Sequence, residues 1–194
     1  MLNSNKILRY VAIIALSVLL LVALVYFNFI HKNPEKSDNL VGTVVTGMDI
    51  PLYDKTGLTE NTFNVLDNEG KLTVINFWGT WCGPCVQELP HFDKIASEYK
   101  DKVTVFAVHS NRLNNTATDF INQYYPNSNM IFGKDFPNES GKMVDPEVYY
   151  TLLGGSNNSY PMTLIVDEVG FVRAHYIGSV THEELVTAIE ELLK

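Results

Sequence analysis

Cysteine is almost missing from this chain: 194 residues contain two, Cys82 and Cys85. A disulfide-dense scaffold is thereby excluded, so an apolar core must hold the fold. Basic residues are also scarce, 14 Lys and Arg against 22 Asp and Glu, for a formal net charge of −8. Only Lys6 and Arg9 precede residue 31, and no acidic residue does, which leaves 12 basic against 22 acidic residues in 31–194. A net charge of −10 without basic clusters argues against nucleic acid as partner and points to proteins. Internal repeats are absent too.

Charge is absent altogether from one stretch, the 21 residues Tyr10 to Ile30. As a helix they would span about 31 Å, close to the hydrocarbon thickness of a bilayer. The run exceeds the 7–15 residues usual for a signal-peptide core, and the following Asn28-Phe29-Ile30-His31-Lys32 lacks an A-x-A-like cleavage site. An uncleaved single-pass transmembrane anchor is expected. Lys6 and Arg9 on one side are matched by Lys32 and Lys36 on the other. The free amino group, and the ease with which large domains translocate, place the N-terminus in the cytoplasm and the bulk of the protein on the extracytoplasmic side of the cell membrane.

Three regions follow: 1–30 as cytoplasmic tip and anchor, 31–39 as a polar linker carrying Pro34, and 40–194 as one folded domain. A domain of about 155 residues buries a little over two thirds of its unfolded surface and needs no structural disulfide. Ile50–Tyr53 and Thr59–Phe63 flank the turn-rich Asp54-Lys55-Thr56-Gly57, predicting a hairpin. Leu72–Trp78 and Val103–Val108 read as strands buried on both faces. Between them, Gly83 to about Tyr99 has apolar residues at Val86, Leu89, Phe92, Ile95, Ala96 and Tyr99, the spacing of one helical face, with Pro90 expected to kink it.

Further helices are expected over about Leu113–Tyr125 and, after Asp145-Pro146-Glu147, over Val148–Leu153. Met162–Val166 and Phe171–Ile177 form an antiparallel pair around Glu168–Gly170, and the capping box at Thr181-His182-Glu183-Glu184 opens a last helix to Leu193. The remainder of 126–158 is rich in Asn, Gly, Ser and Pro. The element order predicts a mixed α/β sandwich.

The spacing of Cys82 and Cys85 lets two sulfurs close a small ring at a helix start, so the pair can cycle between dithiol and disulfide. Alone, the pair also admits half of a metal site or a plain structural bridge. Zinc would need two further ligands, and His91, His109, His175 and His182 are scattered, which favours structural or surface roles for each. Haem attachment through C-x-x-C-H would need His where Val86 stands. No metal or cofactor beyond the redox-active pair is expected. At a helix N-terminus Cys82 faces unpaired N–H groups and the positive end of the macrodipole, which favour the thiolate that attacks disulfides. Cys82 is therefore the expected nucleophile, and Cys85, one turn deeper, the resolving thiol.

The segment VINFWGTWCGPCVQELP, with Tyr160-Pro161-Met162-Thr163 far downstream and then LIVDEVGFV, resembles the TlpA/ResA-like, membrane-anchored branch of the thioredoxin superfamily over roughly residues 45–194. The resemblance implies a thioredoxin-like fold: a central mixed sheet flanked by helices, an N-terminal hairpin extension, and one transmembrane helix before it. Glu88 matches the acidic residue of the pattern C-x-x-E-x-P and is implied as proton acceptor for Cys85, directly or through water. A solvated carboxylate in the first turns of a helix is the competing reading. Asn76 stands where cytosolic thioredoxins carry an acidic residue, and Asn cannot accept a proton.

Pro161 resembles the family's cis-proline opposite the cysteines. Together with Trp81, Gly83, Pro84 and Tyr160 it is implied to line the substrate groove, while Trp78 belongs to the core. The alternative for Tyr160-Pro161 is a turn entering a strand.

Gly-Pro between the cysteines is the thioredoxin dipeptide, and thioredoxin has a potential of about −270 mV against about −120 mV for the oxidant DsbA. A protein-disulfide reductase is favoured. By resemblance its electrons come from an integral-membrane thiol donor and pass to disulfides in exported proteins, with apocytochrome c before haem attachment and a methionine sulfoxide reductase as family clients. The segment 127–158 is implied to shape the surface beside the site, or else forms a passive loop. A disulfide-forming oxidase and a non-catalytic thioredoxin-like binding module are the alternatives.

Overall fold

The computed structural model describes residues 14–23, 35–36, 40–47, 49–68, 70–110, 117–135 and 159–194. Two compact units emerge, Met1–Asn33 and Pro34–Lys194. In the first, residues 14–23 are helical and large apolar side chains from Ile14 to Val22 are exposed. Among the described residues no helix is long and apolar enough to cross a membrane. The span expected over 10–30 has both its ends outside the described residues.

Among the described residues the second unit is built on eight strands: β1 Glu35–Lys36, β2 Asp49–Asp54, β3 Gly57–Asn64, β4 Leu72–Trp78, β5 Val103–His109, β6 Ile131–Lys134, β7 Met162–Val166 and β8 Val172–Ile177. Their order across the sheet is β1-β8-β7-β4-β5-β6-β2-β3. The β4–β5 and β5–β6 pairs are parallel, and every other pair is antiparallel. This is the expected mixed sheet, with the β2–β3 hairpin added at one edge.

Strand β4 sits at the centre because all seven of its residues are apolar or pair internally, and all seven are buried. Its alternation sorts the core into two layers. Val74 and Trp78 face a cluster with Cys85, Leu89, Phe92 and Ile95 of helix α1 (Gly83–Glu98) and Leu185 and Ile189 of helix α3 (His182–Leu192). Ile75 and Phe77 face the other layer, closed by Val45, Ile50 and Val65. Asn76 alternates with Ile75 and Phe77, so it lies on the α1 side, fully buried. Burying a side chain such as Phe92 or Leu89 is worth roughly 1.5–3 kcal/mol, so each layer anchors its elements firmly.

Helix α1 runs unbroken through Pro90, and α3 carries the expected capping box with Thr181 as N-cap. Helix α2 is shorter than expected, Thr118–Tyr124, and residues 111–116 lie outside the described ones. The helix expected over Val148–Leu153 also lies outside them. Strand β6 was not anticipated. Its Phe132 joins the α1-side core, and Gly133 lies against Phe106, where a Cβ would come within 2.6 Å of the ring.

Candidate active site

Strand β4 ends at Trp78, and the four residues that follow lead directly into α1. The connection is pinned at three points: Ser110 N–H donates to Trp78 O at 2.7 Å, Thr80 N–H to His109 Nε2 at 3.4 Å, and Cys82 N–H to Gly79 O at 3.0 Å. Glycine is required at 79 by contact. A Cβ there would lie 2.7 Å from Nε1 of Trp81, which folds back over it.

Cys82 is the N-cap of α1, in extended backbone conformation, and its Sγ accepts the Cys85 N–H at 3.3 Å. Pro84 falls in the first helical positions, where its missing N–H costs nothing. The sulfur thus occupies the place of a capping oxygen, at the positive end of the helix, as the sequence reading required. Cys82 and Cys85 are joined in a disulfide with S–S 2.02 Å and Cα–Cα 5.2 Å. Cys82 keeps 6% of its surface exposed and Cys85 none, so only the first can meet an incoming substrate.

Gly83 and Pro84 are exposed beside Cys82, and Trp81 and Tyr160 are half-buried with their rings 5.3 Å apart, edge to face. The Tyr160–Pro161 peptide bond is cis. Pro161 is buried and accepts the Gly178 N–H at 2.9 Å. Because Met162 pairs with Phe77, Pro161 stands level with the end of β4, where the cysteine connection begins. The fold thereby brings the expected groove residues to one end of the sheet. Trp78 is wholly buried, as expected of a core residue.

Glu88 is three residues beyond Cys85 on the same helix face and is only 2% exposed. Oε1 accepts from Asn76 Nδ2 at 2.7 Å, and Oε2 accepts from the Val180 N–H at 2.9 Å. The solvated alternative for Glu88 is thus not what the fold adopts. Burial pushes its carboxyl up to about 8, against the opposing pull of the Val180 and Asn76 donors. A cleft of about 290 Å³ is lined by Pro84, Gln87, Glu88 and His91 of α1 and by Ser179–Thr181.

Three contacts were not read from the sequence. Asn76 was noted as a departure, but its bond to Glu88 needs β4 and α1 to pack face to face. Val180 offers only a backbone amide, for which no side-chain signal exists. His91 Nδ1 lies 3.0 Å from Val180 O, so two side chains of α1 hold both polar groups of one residue. Among the other histidines, His109 and His175 are buried and His182 pairs with Glu98 at 2.7 Å. Among the described residues, no three His, Cys, Asp or Glu side chains could hold a metal ion together.

A family model described as Thioredoxin matches residues 55–147. Thiol-disulfide oxidoreductase ResA of Bacillus thuringiensis (strain Al Hakam) is 30% identical over 141 residues, which are 72% of this chain and 73% of that protein. Thioredoxin-like protein YneN of Bacillus subtilis (strain 168) is 29% identical over 170 residues, 86% of this chain and 91% of that one. Among solved structures, a putative thiol:disulfide interchange protein DsbE from Chlorobium tepidum superposes with a TM-score of 0.61 at 22% identity, covering 79% of this chain and 98% of its own.

Proposed function

Because this chain belongs to the ResA-type thiol-disulfide oxidoreductases of the thioredoxin family, we propose that it works as a reductase of disulfides in exported proteins, using Cys82 and Cys85 as its dithiol. The observation that carries the reading is the division of labour at the start of α1: Cys82 caps the helix and keeps some exposure, whereas Cys85 is sealed in with a carboxyl group one turn away.

The reaction balances as a two-electron exchange. The Cys82 thiolate, stabilised by the helix N-terminus, attacks one sulfur of a substrate disulfide, and the other leaves as a thiolate that takes up a proton. Trp81, Tyr160, Gly83 and Pro84 provide the surface on which the substrate chain lies, with Pro161 behind them. Cys85 then gives its proton to Glu88 and attacks Cys82 Sγ, releasing the second substrate thiol. The enzyme is left as the Cys82–Cys85 disulfide, the form present here. Two electrons from a dithiol donor restore it.

Glu88 suits the role because burial raises its carboxyl to about 8, which makes its ionised form a stronger base than an exposed carboxylate. Glu88 also lines the cleft between α1 and Ser179–Thr181, through which the proton would reach solvent. The Gly-Pro dipeptide supports the reducing direction. The uncharged run Tyr10–Ile30 supports a single-pass anchor with the catalytic domain on the extracytoplasmic side, where disulfides persist and an integral-membrane thiol carrier can reach it.

Cys85→Ser tests the mechanism: it is expected to leave substrates covalently attached to Cys82, recoverable as mixed disulfides that dithiothreitol releases. Absence of any adduct with an accessible disulfide substrate contradicts the assignment. The direction is read separately, from the equilibrium with glutathione. A potential below about −200 mV supports the reductase, and one well above it transfers the reading to a disulfide-forming oxidase.

A further inference from the structure

Among the described residues, the two oxygens of Glu88 meet only donors. Val180 N–H is backbone and cannot become an acceptor, whereas Asn76 offers either an NH2 group or an oxygen, depending on which way its amide is turned. As placed, Asn76 Nδ2 serves Glu88 Oε1 at 2.7 Å and lies 3.3 Å from Thr163 Oγ1. Its Oδ1 is buried and accepts no hydrogen bond among the described residues. This arrangement suits an ionised carboxylate. Once Glu88 carries a proton on Oε1, an O–H would point at an N–H, donor against donor, and Asn76 Oδ1 would remain unused in a buried place, a costly combination.

Turning the amide by half a rotation removes the donor-against-donor contact and gives Oδ1 its partners, while the NH2 group moves to the place Oδ1 held. Oδ1 would then accept from the protonated carboxyl group and from the Thr163 hydroxyl, which donates as readily as it accepts. The three residues lie together because Asn76 pairs with Thr163 across β4 and β7, and α1 covers that row. We propose that Asn76 acts as a two-position amide in the exchange, presenting Nδ2 to Glu88 when the carboxyl group is ionised and Oδ1 when it is protonated. Asn76 is a positioning residue: it neither gives nor takes the proton, but supports both states of the group that does. An acidic residue at 76 could not do this without adding a second buried charge. The inference rests on Glu88 as the proton acceptor.

The titratable groups around Glu88 leave the amide as the adaptable partner. On α1, Cys85 and His91 stand one turn to either side, and His91 is engaged by Val180 O. On β8, Tyr176 follows Thr163 in the same cross-strand row. At the start of α3, Glu184 is engaged by Thr181.

The test is NMR on the reduced full-length chain, isotope-labelled, following Glu88 Cδ with pH together with the nuclear Overhauser contacts of the Asn76 Nδ2 protons. Above the Glu88 midpoint these protons are expected to show contacts to Glu88 Hγ and to the Thr163 methyl group, and below it to lose them. Glu88→Gln, whose amide donates as the protonated carboxyl does, should keep the low-pH pattern at every pH. Contacts that persist on both sides of the midpoint, while Glu88 itself titrates, overturn the proposal and leave the proton acceptor standing. A Glu88 Cδ that does not titrate removes the acceptor, and this inference with it.

Kinetics give a second reading. Asn76→Leu removes both amide roles, so the Glu88 midpoint should move by less than about one pH unit while resolution of the mixed disulfide slows about tenfold. A rise of about two pH units or more would mark Asn76 as a fixed donor and contradict the switch.

Discussion

At residue scale the oddity is that Glu88 stabilises the fold in one form and hinders it in the other. Its folded value of about 8 lies above the 4.5 of an exposed glutamate, so the native state holds the proton more tightly than the unfolded chain does. The contribution is fully present below about 4.5 and is lost as pH rises through about 8. Glu88→Gln is permanently neutral and can meet the same partners. It should therefore be more stable than the parent at pH well above 8, by about 5 kcal/mol, and nearly equal below pH 4.5. Urea midpoints of the oxidised forms at the two extremes check this, and an equal difference at both would contradict the raised value. The same substitution should flatten the rise of exchange rate with pH, since the acceptor is gone. The site's chemistry was legible as C-x-x-C and C-x-x-E-x-P, but the burial of Glu88 was not. It depends on Val180, 92 residues further on and contributing only its amide, and no spacing rule reaches that far.

Elements divide by how much of their reason is local. Strand β4, helix α1 and helix α3 were legible because an apolar run, a periodic face and a capping box each act within a few residues. Strand β6 was not: four residues including Gly133 and Lys134 have no strand signature, and they are held by pairing with β5 and by the fit of Gly133 against Phe106. Adding one methyl group there, Gly133→Ala, brings a Cβ within 2.6 Å of Phe106 and 3.1 Å of Ile50, and should cost about 1–3 kcal/mol in urea unfolding. A variant as stable as the parent would show that β6 shifts freely. The cap of α3 is a gentler case. Thr181 Oγ1 accepts the Glu184 N–H and Glu184 Oε2 accepts the Thr181 N–H, so Thr181→Ala should cost about 1 kcal/mol and lower the melting temperature by about 2–4 °C. An unchanged melting temperature would mean that the cap carries no weight.

For the whole molecule, the proposed location requires something that would hold a catalytic domain of net charge −10 near a membrane. Anionic lipid surfaces repel such a domain, and it carries no basic cluster to bridge the gap, so its own surface gives no reason for attachment. In the proposed arrangement the whole attachment falls on residues 10–30, whose 21 uncharged positions match the bilayer core in length. The mode of attachment then decides the response to solvent. A peripheral contact made through charge weakens with salt, whereas apolar side chains buried in hydrocarbon do not respond to it. The full-length chain is therefore expected in the membrane pellet after high-salt and alkaline carbonate washes, and a chain beginning at residue 40 in the supernatant, with its insulin-reducing activity retained. Release of the full-length chain by salt alone would remove the anchor from the proposal and leave the dithiol chemistry of Cys82 and Cys85 intact, because nothing in that chemistry draws on residues 10–30.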